Sequence, residues 1–310
     1  MGRRHGEIMN IVERLKEFGE VYTDVPLKHC TTLRLGGEAA MMLHVSSLTA
    51  LFSAHQYLLS KQIPYKVIGK GSNLLCSDDR YEGCIIRLDR KVHHHYVINE
   101  SVWVEAGASV VSLAFALAKV HLAGFEWASG IPATMGGAIA NNAGAYHQCM
   151  ADHISEVLVS TPKGLLTLSK EECKFSYRDS IFHHQPDWVI LAAKLTFSKG
   201  NYRDIMDLIK LRQQRRMSSQ PLEFPSAGST FRNFEDLSAW KCIEEAGCKG
   251  LRVGGAQVSL KHSNFLVNVD DASAMDMLQL IEEVKSKVLA TCGRELILEV
   301  ERFNWNKKMQ

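Results

Sequence analysis

Between Trp127 and Ala151 the chain carries no Asp, Glu, Lys or Arg, and this run constrains the fold more than any other stretch. Its length invites reading as a membrane span. It also holds Pro132, Gly130, Gly136, Gly137, Gly144 and the pair Asn141-Asn142. In hydrocarbon these would leave backbone and amide groups without hydrogen-bond partners, so no membrane partner is expected. The run must instead belong to a folded domain. Residues this small let the backbone approach something flat and polar, and the bland alternative is a tightly packed helix start at Gly136-Gly137.

The rest of the chain can supply that domain. Its 310 residues are 46% hydrophobic and 23% charged, enough for two or three globular domains with sizeable cores. Thirty-six Lys and Arg against 34 Asp and Glu leave +2, no electrostatic footprint for a nucleic-acid partner. The cysteines at 30, 76, 84, 149, 173, 242, 248 and 292 form no CxxC pair. Neither a disulfide framework nor a zinc site fits that scatter, so reduced thiols in a cytoplasmic protein are expected. Arg3, Arg4 and His5 precede no apolar stretch, and Gly6 breaks the myristoylation pattern, so no leader or lipid anchor is expected.

Periodicity predicts helices over 8–18, 110–120, 202–217, 238–246 and 273–290, and one from Ser46-Ser47 to about Ser60. Strands are predicted over 40–45, 65–68, 84–88, 96–99, 101–105, 188–197, 265–269 and 295–302. Pro162-Lys163-Gly164 reads as the turn of a hairpin joining 153–160 to 165–168. The class is α+β, with two clusters of elements meeting near residues 200–220.

Two loops carry chemistry. Gly69-Lys70-Gly71-Ser72-Asn73 follows a strand, as a phosphate loop should, because glycines let successive N–H groups face an anion. Leu74 stands where a dinucleotide fingerprint needs its third glycine, and Gly71 follows Lys70 where a Walker loop needs Ser or Thr. A plain tight turn stays open for this loop. The second is Gly130-Ile-Pro-Ala-Thr-Met-Gly-Gly137-Ala-Ile-Ala-Asn-Asn142-Ala-Gly-Ala-Tyr146.

With Thr31-Thr32-Leu-Arg34-Leu-Gly-Gly37, Tyr177-Arg178-Asp-Ser180, Pro225-Ser-Ala-Gly-Ser229-Thr-Phe-Arg-Asn233 and Leu298-Glu299-Val300, these loops resemble the UDP-N-acetylenolpyruvoylglucosamine reductase (MurB) family, from about Thr31 to Arg302. The short spacing between Arg178 and Ser229 is similar to its type II subgroup. The resemblance implies an N-terminal helix and lead-in over 1–30 and an FAD-binding domain of the vanillyl-alcohol-oxidase (PCMH) type, in two subdomains, over 31–199. A C-terminal α+β substrate-binding domain over 200–310 would follow. Ala133 replaces the family's usual glycine after Ile-Pro, His147 stands where glycine often follows Ala-Tyr, and Phe234 replaces a proline after Asn233.

The implied reaction uses NADPH and non-covalent FAD to reduce the enolpyruvyl ether of UDP-N-acetylglucosamine enolpyruvate, in peptidoglycan precursor synthesis. Hydride would arrive from flavin N5 and negative charge would spread onto the substrate carboxylate. Arg178 would offer that carboxylate a planar fork, Ser229 would give the carbon its proton, and Glu299 would assist. Flavin contacts are implied for Gly69, Lys70, Gly71, Ser72, Asn73, Leu74, Gly130, Ile131, Pro132, Thr134, Gly136, Gly137, Ala138, Asn142, Gly144 and Ala145. Arg216, chosen from Arg212, Arg215 and Arg216, would meet the diphosphate, with Asn233 and His262 as further substrate contacts. A monomer is expected.

Without the resemblance, blander readings stand. Arg178 could pair with Asp179 or Glu172 on a surface. Ser229 could be a turn serine. Glu299 could share a solvated strand face with Glu295 and Glu301. No metal is expected, since three-fold ligation by His93-His94-His95 is awkward when adjacent strand residues face opposite ways. His183-His184 fares no better. Competing functions are another flavin oxidoreductase of this fold acting on a sugar or alcohol, and a flavin- or nucleotide-binding protein without turnover.

Overall fold

The structure, a computed structural model, describes residues 2–88 and 91–305. The chain divides into two compact units. One comprises residues 1–24, 40–69 and 82–214, the other residues 25–39, 70–81 and 215–310.

Two larger sheets build most of the first unit. One runs in the order Gly19–Pro26, Glu38–Val45, Tyr81–Arg87, Tyr65–Ile68, and its last pair is parallel. The other is a five-stranded antiparallel sheet in the order Gly164–Ser169, Ile154–Thr161, Val189–Thr196, Ser101–Glu105, His95–Ile98. Val189–Thr196 lies in the middle of it, and its continuous apolar reading follows, since both of its faces are buried. Helices Leu48–Ser60 and Val110–Lys119 begin at Ser47 and Ser109, whose side chains accept the amides of Ala50 and Ser112. Their apolar faces join Leu43, Ile86, Val104, Trp127, Met135 and Leu191 in one core, where each fully buried large side chain contributes about 1.5–3 kcal/mol. His55 is completely buried there between Ser160 Oγ (2.6 Å) and Tyr65 Oη (2.7 Å). Burial pushes its pKa down to about 4.

The second unit packs helices Ala239–Glu245 and Ala274–Cys292 with a three-stranded antiparallel sheet, Arg252–Val253, Ala256–Val258 and Leu266–Asn268. The long helix opens on a Ser273/Asp276 capping box and closes on Gly293 at φ +65°. Leu74–Cys76 pairs in parallel with Glu301–Phe303.

Most predicted elements are present with ends shifted by a few residues. The exception is the strand over 295–302: only Glu301–Phe303 is a strand, preceded by a single bridge between Leu298 and Phe231. Hydrophobic alternation is real there (Leu296 and Val300 are buried), but the chain bends instead of following one ladder. Strands Gly19–Pro26, Leu74–Cys76 and Ala256–Val258 were not predicted. The helix expected to end near Met217 runs over Tyr202–Ser219, and the division between units falls inside it, after Gln214. All eight cysteines are free thiols, six of them buried. Among the described residues no helix is long and apolar enough to cross a membrane, and no cluster of three metal-ligating side chains occurs.

Candidate functional site

In the first unit the Tyr65–Ile68 strand delivers Gly69 against Thr134. A Cβ on Gly69 would collide with the Thr134 hydroxyl, so only glycine permits this approach. Thr134 is buried and begins the short helix Met135–Ala140, whose first amides, of Met135 and Gly136, donate to the carbonyls of Ala108 and Ala106 (both 2.8 Å). Beyond the helix, buried Asn142 takes a left-handed backbone (φ +39°). Its carboxamide donates to Ser176 O (2.8 Å) and accepts from Ala151 N (3.0 Å). Ser180 Oγ donates to Ala140 O (2.6 Å). Through these bonds the small-residue loop recruits the Tyr177–Ser180 motif. Half-buried Arg178 then donates from Nη2 to Gly144 O at 2.9 Å. Asp179, the surface partner considered for Arg178, accepts from His183 and His184 (3.0 Å each). His94 bonds Glu105 instead of gathering with its histidine neighbours into a ligand set.

The departures from the family pattern have local explanations. Ala133 has no positive φ, and its carbonyl accepts from Val110 N (3.0 Å), so a methyl group is tolerated. His147 does sit at φ +61°, next to Tyr146 at +56°, where glycine would be unstrained. Phe234 N–H donates to Leu237 O (2.9 Å), which proline could not do. Its ring also lies under the Arg294 guanidinium, 5.1 Å from the ring centre.

In the second unit Ser229 follows Gly228 (φ +80°) and leads into Thr230-Phe231. That segment pairs with 297–299: Arg232 N donates to Ile297 O (2.8 Å) and Glu299 N to Thr230 O (2.9 Å). Ser229 and Glu299, 70 positions apart in sequence, are thus carried on adjacent extended segments. Both are half-buried, whereas Glu295 and Glu301 are exposed. A shared solvated face does not describe Glu299.

Asn73, expected among the flavin contacts, donates from Nδ2 to Glu299 O (3.1 Å), and its own carbonyl accepts from Glu301 N (2.9 Å). On the serine side, buried Asn264 exchanges two hydrogen bonds with the Phe231 backbone (3.0 and 2.8 Å). Sequence reasoning passed over Asn264. The only signal was its place in Lys261-His-Ser-Asn-Phe265, where His262 drew attention instead. His262 Nδ1 accepts from Asn264 N (3.2 Å), which leaves the proton of a neutral ring on Nε2. Burial holds its pKa below the usual histidine value.

Lys261 Nζ donates to Met217 O (2.7 Å), which ties the His262 turn to the end of the Tyr202–Ser219 helix, one residue from half-buried Arg216. Arg215 is exposed. Arg212 lies in the other unit, its guanidinium over the Tyr146 ring at 4.8 Å. Asn233 Oδ1 accepts from Ala239 N (3.0 Å) and so caps the Ala239–Glu245 helix. A cleft of about 680 Å³ on the second unit, lined by Lys28, His29, Arg34, Phe224, Asn268 and Asp271 among others, contains none of the candidate catalytic or ligand-binding residues.

Gly69 packed on Thr134 beside a run of small residues, with Arg178 bonded to Gly144, leaves backbone open to a flat polar cofactor, the arrangement of a cofactor-binding protein. Residues 39–169 match the FAD binding domain family, and residues 220–303 match the C-terminal domain of UDP-N-acetylenolpyruvoylglucosamine reductase. The chain is 39% identical to the reductase of that name from Caldanaerobacter subterraneus subsp. tengcongensis, over 94% of this chain and 97% of the relative. It is also 39% identical to that of Clostridioides difficile, over 91% and 93%. The crystal structure of MurB from Thermus caldophilus superposes with a TM-score of 0.77 at 33% identity, covering 92% of this chain and 98% of that one. This chain belongs to the UDP-N-acetylenolpyruvoylglucosamine reductase (MurB) family.

Proposed function

We propose that the protein is an FAD-dependent oxidoreductase that reduces the enolpyruvyl ether of UDP-N-acetylglucosamine enolpyruvate to UDP-N-acetylmuramate, with NADPH as reductant, in the cytoplasm. The observation that carries the reading is the pairing in the second unit. It puts an alcohol, Ser229, and a carboxyl group, Glu299, on neighbouring extended segments.

The residues present fit FAD. Gly69 leaves no room for a Cβ against Thr134, and the run from Gly130 through Ile131, Pro132, Gly136, Gly137 and Ala138 to Ala145 offers backbone with few side chains in the way. Gly69 and this loop would hold the pyrophosphate; Lys70, Gly71, Ser72 and Leu74 are flavin contacts that the family resemblance implies. The chemistry that bound FAD would supply is hydride transfer, from NADPH to the methylene carbon of the enolpyruvyl ether.

The protein's own side chains do the rest. Arg178 neutralises the substrate carboxylate as negative charge spreads onto it, and its planar fork suits two oxygens at once. The left-handed backbone at Arg178 (φ +55°) costs about 1–2 kcal/mol, a strain that the bond to Gly144 helps to hold in one geometry. Ser229 gives its proton to the carbon next to the carboxylate, and Glu299 supports that transfer. Arg216 and the neutral His262 Nε2–H face the nucleotide's phosphates and sugar, and Asn233 adds a donor amide. An oxidase acting on an alcohol would need a base at this position, so a protonated serine argues for reduction.

Acid denaturation of the purified protein should release FAD into the supernatant. Anaerobic NADPH should bleach the flavin, and the enolpyruvyl nucleotide sugar should restore its colour. Flavin that NADPH leaves oxidised would mark a binding protein without turnover, and reoxidation by oxygen but not by the sugar would favour the oxidase reading.

A further inference from the structure

The residue least explained by its expected role is Asn73. It closes the glycine loop and should face a cofactor, yet its carboxamide donates to the main-chain carbonyl of Glu299 (3.1 Å). The ladder between Leu74–Cys76 and Glu301–Phe303 ends with Glu301 N donating to Asn73 O (2.9 Å). At Val300 the chain bends, and backbone pairing cannot continue to residue 299. The Asn73 side chain takes the place of the missing rung. Glu299 N–H, meanwhile, donates to Thr230 O (2.9 Å), next to Ser229. Both peptide groups of Glu299 are therefore held from different directions, one by the serine segment and one by the glycine loop.

We infer that Asn73 is a positioning residue for Glu299, setting the distance of its carboxyl group from Ser229 during proton delivery. The inference rests on the proposed roles of Ser229 and Glu299. It assigns Asn73 to the protonation half of the reaction instead of to cofactor capture. Asparagine suits the task, because aspartate would present an acceptor to an acceptor and serine is too short to span the gap. A displacement of about 1 Å at a reacting group costs roughly 100-fold in rate.

The test is Asn73→Asp in the flavin-loaded protein, measured beside wild type, Glu299→Gln and the double variant. Flavin content and anaerobic bleaching by NADPH should stay within about twofold of wild type, while reoxidation by the enolpyruvyl sugar slows about 10–100-fold. The double variant should be no slower than Glu299→Gln alone, since a misplaced group that is already disabled costs nothing more. Backbone amides over 297–301 should exchange with deuterium faster in Asn73→Asp, a readout independent of turnover. Lost flavin, equal slowing of both half-reactions, additive losses in the double variant, or unchanged exchange would each overturn the inference. If Glu299→Gln slows reoxidation and Asn73→Asp does not, only the role of Asn73 falls; if Glu299→Gln has no effect, the proposed mechanism falls with it. Should Asn73→Asp not fold, Asn73→Ser removes the long donor without adding charge and is judged by the same outcomes.

Discussion

Arg178 and the Ser229–Glu299 pair are held in place by different physics. Arg178 sits on a left-handed residue among several others, Asn142, Tyr146 and His147, in a loop secured by isolated side-chain bonds to carbonyls: Asn142 to Ser176, Ser180 to Ala140, Arg178 to Gly144. Ser229 and Glu299 lie on extended segments whose backbones pair with each other and are buttressed by asparagine carboxamides from outside the pair. The first arrangement stores strain and places one cation. The second pairs two backbones across a single antiparallel bridge and places two groups relative to each other. Charge stabilisation tolerates some looseness, because Coulomb energy varies slowly with distance. Proton transfer does not, because it needs hydrogen-bond reach.

Ser229→Ala should produce the largest effect. Bleaching by NADPH should remain near normal, while reoxidation by the enolpyruvyl sugar falls about 10²–10⁴-fold, and Ser229→Cys should recover part of it. Slow bleaching with normal reoxidation would move Ser229 to the flavin pocket, and equal modest slowing of both would make it a turn serine.

Arg178→Lys keeps the charge and removes the fork. Reoxidation should slow by about 100-fold, the scale of one lost oxyanion donor. A lysine variant close to wild type would mean that placement of charge alone suffices at this strained position, which would sharpen the contrast with the serine segment.

Arg216→Ala tests a contact outside both arrangements. Steady-state kinetics should show KM for the nucleotide sugar raised roughly tenfold or more, with kcat changed much less, the signature of lost uniform binding. An unchanged KM would shift the role to Arg215, Arg212 or Lys261.

The smallest effect concerns strain itself. His147 is exposed at φ +61°, so His147→Gly should stabilise the fold by about 0.5–1 kcal/mol, the relief of left-handed strain less the entropy that glycine adds to the unfolded chain. Urea denaturation reads this directly. A destabilised variant would show that the histidine side chain makes a contact that outweighs the strain.

Much of this was legible in the residues. The hairpin over Ile154–Thr161 and Gly164–Ser169 and the helix starts at Ser47, Ser109 and Ser273 follow from local chemistry that needs no partner from elsewhere in the chain. Tertiary structure alone decided where residues 70–81 belong. Lys70 follows Gly69 directly, but Leu75 O accepts from Trp305 Nε1 (2.9 Å), Ser77 Oγ donates to Asn304 O (2.7 Å), and Asp78 caps the Ala274–Cys292 helix at Ala274 N. All of these partners lie more than 190 positions away, and hydrophobic periodicity carries no information about such distant pairings. Glu299 shows the same limit: alternation put it on a solvated face with Glu295 and Glu301, and only the cross-chain bonds to Thr230 and Asn73 lift it out of that row. Residue type and spacing therefore settled which chemistry the chain can offer. Which groups meet was settled by long-range hydrogen bonds that have a main-chain carbonyl or amide at one end at least, and every residue carries those groups alike.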